Sequence, residues 1–282
     1  MEQKRCDLHT HSYYSDGTDS PQEIVDKALE LGLTAVALCD HNTTRGLGEF
    51  ISYARDKAVD AVAGVEFSTD HNGKELHILA LFVPENAFDK VQAYVNKMHI
   101  SKEQSNIRLI SSLKKAGYDL DYDRIFAKAN GNINRAHVAS ELTQKGYTSS
   151  VKEAFDTVLS VEQGYYVPPE RLDALETVEF IKSIGAVGVL AHPYLNLSAE
   201  ELEIFLPLAV QHGLDGMETR YSAYSPETEA LALQTAQRYR LLQSGGSDYH
   251  GERKQERLGI GRGDLTVPSE YYYGLRSRSK GV

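Results

Sequence analysis

Short apolar runs rich in β-branched residues alternate with amphipathic helical patterns along most of the 282-residue chain. The apolar runs predict about seven strands, with helices between several of them. The predicted strands cover residues 5–8, 34–39, 60–66, 75–83, 187–191, 214–218 and 241–245. Alternation of strands and helices over this length indicates a parallel α/β barrel or an open α/β sheet.

Local signals predict where several of these elements begin and end. Ser20, Pro21 and Glu23 give the pattern of an N-cap, a first helical residue and a capping box, so a helix is predicted to start there. Gly32 is expected to end that helix. The dipeptide at 72–73, Asn-Gly, predicts a hairpin turn between the third and fourth strands.

Residues 99–166 break the alternation, because they carry helical patterns and no predicted strand. We therefore predict a helical insertion domain at 99–166 within a barrel domain formed by residues 1–98 and 167–282.

The charge distribution narrows the classes of partner. The net charge is −10, which makes the chain a poor coat for nucleic acid, so stable binding of duplex DNA is not expected. Residues 99–166 hold nine Lys/Arg and eight Asp/Glu, so this stretch is +1 and the rest is −11. A basic group that faces an anionic substrate is therefore sought in this stretch.

The apolar content also bears on location. No run of eighteen apolar residues occurs, so no membrane partner is expected. The N-terminus lacks an apolar signal region, and the two cysteines, Cys6 and Cys39, lie in apolar runs. A disulfide scaffold is therefore not expected, and a reducing, cytoplasmic location is the simplest interpretation.

Histidines and carboxylates follow nearly every predicted strand. The carboxyl ends of parallel strands meet on one face of an α/β fold, so these side chains should converge there. Histidine nitrogens and carboxylate oxygens suit zinc, manganese and iron. The nine candidate metal ligands are His9, His11, Asp16, His41, Glu66, His77, His192, Asp248 and His250.

Each candidate alone has an ordinary explanation. A single His-x-His pair is weak evidence, Asp16 beside Gly17 is a turn signal, and Glu66 fits a partly buried ion pair. Similarly, His41 fits a helix N-cap region, His192 a strand terminator before proline, and Asp248 a loop cap. Six of the ten histidines nevertheless follow strands beside three acids, and this coincidence favours a metal cluster.

Six ordered motifs resemble the polymerase and histidinol phosphatase (PHP) superfamily over nearly the whole chain. The motifs are Asp-Leu-His-Thr-His with Ser-Asp-Gly at 7–17, Cys-Asp-His-Asn-Thr at 39–43, Gly-Val-Glu-Phe-Ser at 64–68, Glu-Leu-His-Ile-Leu at 75–79, Ala-His-Pro at 191–193 and Gly-Ser-Asp-Tyr-His-Gly at 246–251.

The resemblance implies an α/β fold with a distorted seven-stranded (β/α) TIM-like barrel, the PHP fold. It also implies two or three divalent metal ions, Mn, Fe or Zn, with Mg as an alternative. The first ion is expected on His9, His11, Glu66 and Asp248. The second is expected on Glu66, His77 and His192. The third is expected on Asp16, His41 and His250. Asp7 and Asp40 are expected either to orient histidine rings or to be solvated turn carboxylates.

The stretch at 132–137, Asn-Ile-Asn-Arg-Ala-His, resembles an arginine-x-histidine element of stand-alone members that act on nucleotides or short oligonucleotides. Some of these members remove the 3′-phosphate of nucleoside 3′,5′-bisphosphates, and others trim RNA from its 5′ end. The resemblance implies that Arg135 grips phosphate and that His137 bonds to it or protonates the leaving oxygen. The alternative is a helix-start arginine and a surface histidine.

The segment after the sixth predicted strand offers one further candidate. Tyr221 or Arg220 is expected to line the substrate pocket, with simple loop packing as the alternative.

Together these features predict a metal-dependent phosphohydrolase that uses a metal-bound hydroxide on small nucleotides, such as nucleoside 3′,5′-bisphosphate or AMP, or on short oligonucleotides. The alternatives are a histidinol-phosphate-type phosphatase acting on a non-nucleotide substrate, a metal-dependent C–N hydrolase, and a non-catalytic metal-binding accessory domain. The sequence shows no obvious position for a carboxylated lysine near a strand end, which disfavours the C–N hydrolase. All nine ligands are intact, which disfavours the accessory domain.

Overall fold

The computed structural model describes residues 4–128 and 135–279 of the chain. The chain divides into two compact units. The barrel unit comprises Met1–Val95 and Leu172–Val282, and the helical unit comprises Asn96–Arg171. The domain boundaries at 99 and 166 stay a prediction.

A single sheet forms the frame of the barrel unit. Its strands are β1 Cys6–Thr10, β2 Ala35–Leu38, β3 Asp60–His71, β4 Lys74–Leu81, the two-residue β5 Leu172–Asp173, β6 Val187–Leu190, β7 Gly216–Tyr221 and β8 Leu242–Gly246. Neighbouring strands follow the order β1-β2-β3-β4-β6-β7-β8, and β5 pairs with β3 off this path.

The strand directions explain why the barrel is distorted. β1, β2 and β3 are parallel, and so are β6, β7 and β8, but β4 runs antiparallel to both of its neighbours. A bridge between Thr10 and Tyr249 brings the first strand to the chain that follows β8. The seven strands therefore form a nearly closed barrel, and the predicted fold is confirmed.

The barrel core comes from the apolar runs that predicted the strands. Leu8, Ala37, Leu79 and Val189 pack together inside, each without solvent exposure. Strands covered on both faces have continuous apolar runs, because both side-chain directions are buried. Cys6 and Cys39 are free thiols in this region and are also buried.

Helices connect most of the strands. They are α1 Pro21–Glu30, α2 Leu47–Ala54, α3 Phe88–Lys115, α4 Tyr122–Lys128, α5 Arg135–Gln144, α6 Val151–Asp156, α7 Ala174–Ser183, α8 Pro193–Asn196, α9 Ala199–His212, α10 Pro226–Arg238 and α11 Ser269–Arg276. The predicted capping box of α1 is present, since the Ser20 hydroxyl accepts from the Glu23 N–H and the Glu23 carboxylate accepts from the Ser20 N–H. No helix among the described residues is long and apolar enough to cross a membrane.

The helical unit has its own apolar core. Leu109 and Leu113 of α3 pack with Val138 and Leu142 of α5, and all four are fully buried. Within its described residues, helices and turns make up the unit and no strand occurs.

The third strand differs most in length from the prediction. β3 continues to His71 rather than ending at Glu66, because residues beyond Glu66 pair with β4 in the hairpin. Asn72 and Gly73 form the turn with φ values of 54° and 81°, as the Asn-Gly pair predicts. Glu66 therefore lies in the middle of a strand.

Candidate metal centre

The strand ends deliver the predicted side chains to one rim of the barrel. His9 lies on β1 and His11 directly follows it, while His192 follows β6. A bridge between His41 and Glu66 places the end of β2 beside the middle of β3. The mid-strand position of Glu66 is therefore still level with the rim, because the shorter β2 ends there.

Glu66 lies at the centre of five imidazoles and is 1 % exposed. Its Oε2 atom lies 3.3 Å from His9 Nε2, 3.2 Å from His11 Nε2 and 3.1 Å from His41 Nδ1. Its Oε1 atom lies 2.8 Å from His77 Nδ1 and 3.1 Å from His192 Nε2. One carboxylate thus contacts side chains from both halves of the barrel.

Two aspartates extend the cluster. Asp248 Oδ1 lies 3.2 Å from His11 Nε2 and 3.7 Å from His9 Nε2. Asp16 Oδ1 lies 3.2 Å from His250 Nε2, 3.9 Å from His11 Nδ1 and 4.0 Å from His41 Nε2. The structure therefore brings all nine predicted ligands together.

The ligand atoms fall into three overlapping groups that can each hold a cation. The groups are His9, His11, Glu66 and Asp248; His11, Asp16, His41 and His250; and His41, Glu66 and His77. The first matches the set implied for the first ion. His11 joins the set implied for the third ion, and His41 joins Glu66 and His77 where His192 was implied. Both nitrogens of His11, and both of His41, face acceptors in two different groups.

The hydrogen bonding of these atoms fits metal ligation. Six of the eight buried side-chain N and O atoms without a hydrogen-bond partner in the described residues belong to this cluster. They are His9 Nε2, both ring nitrogens of His11, His41 Nδ1, Glu66 Oε2 and His250 Nε2. Two atoms that each lie about 2.1 Å from a tetrahedral ion are about 3.4 Å apart, close to the contacts above. A buried nitrogen or oxygen atom without a hydrogen-bond partner costs free energy, and a cation that binds its lone pair removes that cost.

Carboxylate charge is strongly favoured here. Burial raises the pKa of Glu66, but His41, His9 and His77 lower it by more, so that pKa lies well below its ordinary value. Burial lowers the pKa of His77, but Glu66 and Glu75 raise it to about 10. At His41, burial together with His11 and His77 outweighs Glu66 and lowers the pKa to about 4. Cations can replace the protons that these imidazoles would otherwise supply to the carboxylates.

Glu218 was missed as a functional residue by sequence reasoning. It lies on β7 without solvent exposure, and its Oε1 atom lies 3.0 Å from His9 Nδ1. Its Oε2 atom accepts the backbone N–H of His192 at 2.7 Å. Glu218 thereby orients the ring of His9 so that Nε2 faces Glu66. An acid at the end of a predicted strand was the available signal, as it was for Glu66.

Asp7 and Asp40 match neither expectation for them, which was to orient histidine rings or to be solvated turn carboxylates. Asp7 and Asp40 are buried, but neither bonds to a histidine ring through its carboxylate in the described contacts. Asp7 accepts the N–H and hydroxyl of Ser247 and the N–H of Gly259. Asp40 accepts from Ser12 and Ser15. Both carboxylates accept hydrogen bonds from N–H and hydroxyl groups of nearby loops. They therefore stabilise the loops that carry metal ligands and, among the described residues, do not bond to the histidine rings.

Backbone geometry adds strain at two of the ligands. His192 has a φ of 29° and Asp248 a φ of 54°, in the left-handed region that glycine prefers. The N–H of Asp248 bonds to the carbonyl of His9 at 2.9 Å, which holds the turn in place. Gly246 lets β1 approach this turn, since a Cβ there would lie 2.4 Å from the Cβ of His9.

A cavity of about 200 Å³ opens beside the cluster. Its lining residues are His41, Glu66, His77, His192, Leu195, Asn196, Tyr221, Asp248 and Lys254. Tyr221 lines this cavity, and its hydroxyl donates to Asp248 Oδ2 at 2.9 Å, while its contact with substrate stays a prediction. Arg220 instead pairs with Glu229.

Arg135 and His137 belong to the helical unit. Arg135 begins α5, and its guanidinium lies over the ring of Tyr166 at 4.1 Å and that of Phe155 at 5.4 Å. Both residues are partly exposed. Their roles toward phosphate stay a prediction, and residues 132–134 of the same element lie outside the described residues.

The chain is similar to several known proteins along most of its length. A 5′–3′ exoribonuclease of Haemophilus influenzae is 32 % identical, over 88 % of this chain and 90 % of that protein. A phosphoribosyl 1,2-cyclic phosphate 1,2-diphosphodiesterase of Eggerthella lenta is 30 % identical, over 87 % and 94 %. A 3′,5′-nucleoside bisphosphate phosphatase of Chromobacterium violaceum is 28 % identical, over 86 % of each chain.

A solved structure and a family model agree with these relatives. The structure, from Bifidobacterium adolescentis and described as a metal-dependent phosphoesterase, has a TM-score of 0.69 and 26 % identity and covers 98 % of this chain and 96 % of its own. The PHP domain model matches residues 7–167, more than half of the chain. The cluster of histidines and carboxylates, the barrel and these likenesses indicate a hydrolase that uses divalent metal ions. The chain therefore belongs to the PHP domain family of metal-dependent phosphoesterases.

Proposed function

We propose that the chain removes a phosphate group from a small nucleotide, such as a nucleoside 3′,5′-bisphosphate or AMP, or from a short oligonucleotide. The observation that carries this proposal is the set of three overlapping ligand groups that share Glu66, His11 and His41 beside one cavity. Ligand groups that share residues would hold their ions close together, as phosphoester hydrolysis by paired ions requires.

Each ligand group has a separate place in this proposal. Glu66 would help to hold two ions, one with His9, His11 and Asp248, and one with His77 and either His41 or His192. Asp16, His250 and the remaining nitrogens of His11 and His41 would hold a third. Mixed nitrogen and oxygen ligands suit Mn, Fe or Zn, and Mg is the weaker candidate because it prefers oxygen ligands.

Bound divalent ions supply an activated water for attack on phosphorus and neutralise charge on the phosphoryl oxygens. The residues of the chain prepare that site. Glu66 and Asp248 stay ionised because imidazoles surround them, and Glu218 keeps the His9 ring in one orientation. Leu195 and Tyr221 form the less polar part of the cavity wall beside the ligands. Groups fixed beforehand need no rearrangement as charge develops on the substrate.

The helical unit supplies the proposed contacts beyond the ions. Arg135 would hold a phosphate oxygen pair with its planar guanidinium, and His137 would bond to the phosphate or donate a proton to the leaving alcohol. The neighbours of Arg135 support this role, because rings stacked on a guanidinium leave its edge N–H groups to bind an anion.

The relatives favour nucleotides as the substrate class. One is an exoribonuclease and one a nucleoside bisphosphate phosphatase, and both cover most of this chain. A cavity of about 200 Å³ accepts a phosphate and part of a sugar rather than a duplex. The charge of −10 also disfavours a broad nucleic-acid surface. A terminal phosphate on a small or single-stranded substrate therefore fits best.

Phosphate release assays on the full chain loaded with Mn²⁺ test the proposal. The substrates are adenosine 3′,5′-bisphosphate, AMP and a short 5′-phosphorylated RNA, with histidinol phosphate as a non-nucleotide comparison. The same protein treated with a chelator is the control and should be inactive. We expect kcat/KM to be highest for one of the nucleotide substrates. No turnover of any nucleotide with metals bound, or a preference for histidinol phosphate, contradicts the proposal.

A further inference from the structure

The cavity beside the ligand cluster contains one permanent cation. Of its nine lining residues, Lys254 alone is a lysine or arginine. The other polar groups are ligand side chains, Asn196 and Tyr221. Lys254 lies beyond the matched PHP segment and outside the motifs of the ligand cluster.

The contacts of Lys254 leave part of its ammonium group available. Its Nζ atom lies 2.9 Å from Asp248 Oδ2, and this is its one described polar contact. An ammonium group has three N–H donors, so two remain for a ligand. Its side chain is 39 % exposed and lines the cavity, so those donors are open to a solute that enters.

The chain around Lys254 is held in place by the loop that carries Asp16. Gly251 has a φ of 68°, and a Cβ at this position would lie 1.9 Å from the hydroxyl oxygen of Thr18. The same hydroxyl accepts the N–H of Glu252 at 3.0 Å. The short turn from Gly251 to Arg253 therefore packs tightly against Thr18, and Lys254 directly follows it. This packing fixes where the Lys254 backbone lies relative to Asp248.

We propose that Lys254 binds a phosphoryl oxygen of the substrate in this cavity. The inference rests on the proposed function, since it assigns a residue to the phosphate that the same site would receive. The ammonium would donate one hydrogen bond to Asp248 and one or two to the phosphate. Lys254 is therefore a specificity residue that favours dianionic phosphomonoesters over neutral substrates, because its ammonium bonds more strongly to an ionised oxygen than to a neutral one.

Binding of inorganic phosphate to the Mn²⁺-loaded full chain tests the proposal without requiring turnover. Titration calorimetry would compare wild type with Lys254→Met, which keeps the stem and removes the charge, and with Lys254→Arg, which keeps the charge. Lys90→Met, an exposed lysine on α3, is the matched control. Metal content per chain is measured for every variant. Tyr221→Phe removes the other donor to the same oxygen of Asp248.

We expect Lys254→Met to raise the Kd of phosphate about tenfold or more with unchanged metal content. Lys254→Arg should restore much of the affinity, and Lys90→Met should match wild type. In turnover assays, Lys254→Met should raise KM more than it lowers kcat.

Two results would overturn the inference. In the first, phosphate binds Lys254→Met as it binds wild type. In the second, Lys254→Met loses metal in step with phosphate affinity and Tyr221→Phe behaves in the same way, which makes Lys254 only an anchor for Asp248. A wild type that binds phosphate through Lys254 but hydrolyses no nucleotide supports the inference while it contradicts the proposed function.

Discussion

In the barrel unit, Glu66 and Glu218 hold imidazoles through contacts between fully buried atoms. In the helical unit, the guanidinium of Arg135 lies against the faces of Tyr166 and Phe155 and is partly exposed. Buried hydrogen bonds fix both position and orientation, whereas a stacked ring fixes only the plane of its partner. The ligands of the barrel cluster are thus held in one orientation, whereas the rings beside Arg135 fix only the plane of its guanidinium.

The largest effect should come from the centre of the barrel cluster. Glu66→Gln removes the charge shared by five imidazoles, so we expect a fall in kcat/KM of about a thousandfold and loss of bound metal. Phosphate release and elemental analysis measure the two effects. Glu75→Gln, which touches His77 from an exposed position, is the control and should keep its metal. A Glu66→Gln protein that keeps its full metal content would contradict the view that buried contacts of the barrel unit hold the ions.

The second largest effect should come from Glu218, which contacts the ring of the predicted ligand His9. Glu218→Gln weakens the orientation of His9, so we expect metal affinity to fall by about 10- to 100-fold. Competition with a fluorescent chelator measures this affinity. Glu200→Gln, an exposed glutamate of α9, is the control. Unchanged metal affinity would show that buried hydrogen bonding does not position the ligands in this barrel.

The third effect concerns the helical unit. Arg135→Lys keeps the charge but loses the planar fork, so we expect KM for the nucleotide substrate to rise about tenfold with unchanged metal content. Steady-state kinetics measure KM, and Arg108→Lys, an exposed arginine of the same unit, is the control. An equal loss of metal in Arg135→Lys would mean that both units fix the ions.

The smallest effect should come from Tyr221. Tyr221→Phe removes one of two donors to Asp248 Oδ2 while Lys254 remains, so we expect metal affinity to fall about threefold and KM to stay unchanged. The chelator competition and steady-state assays separate these outcomes, with Tyr273→Phe as an exposed control. A higher KM with normal metal affinity would instead place Tyr221 against the substrate.

The pattern of the sequence predicted a barrel or an open α/β sheet and the convergence of nine ligands for a simple physical reason, and the family resemblance narrowed the fold to the barrel. Apolar runs mark strands, and parallel strands end on one face, so residues such as His9 and His192 meet even though 183 positions separate them. Residue type then indicated the chemistry. None of this required knowledge of how side chains pack.

The remaining features depend on packing that a pattern does not encode. Glu218 contacts His9 because of where β7 lies in the barrel. Asp40 accepts hydrogen bonds from the hydroxyls of Ser12 and Ser15 and, within the described part of the chain, not from a histidine ring. Lys254 faces the cavity because the turn at Gly251 packs on Thr18. In each case several nearby groups could have formed the hydrogen bond or contact. The spacing of residues in the sequence does not show which of them does.

The left-handed backbone at His192 and Asp248 has a consequence for how this protein can change over time. Strain of this kind costs about 1–3 kcal/mol at each position, and glycine relieves it. Replacement of either residue by glycine would remove a predicted ligand and at the same time relieve the backbone strain at that position. A lineage released from selection for catalysis could therefore gain stability at the very positions where it loses the reaction, so loss of activity here has little structural cost to oppose it.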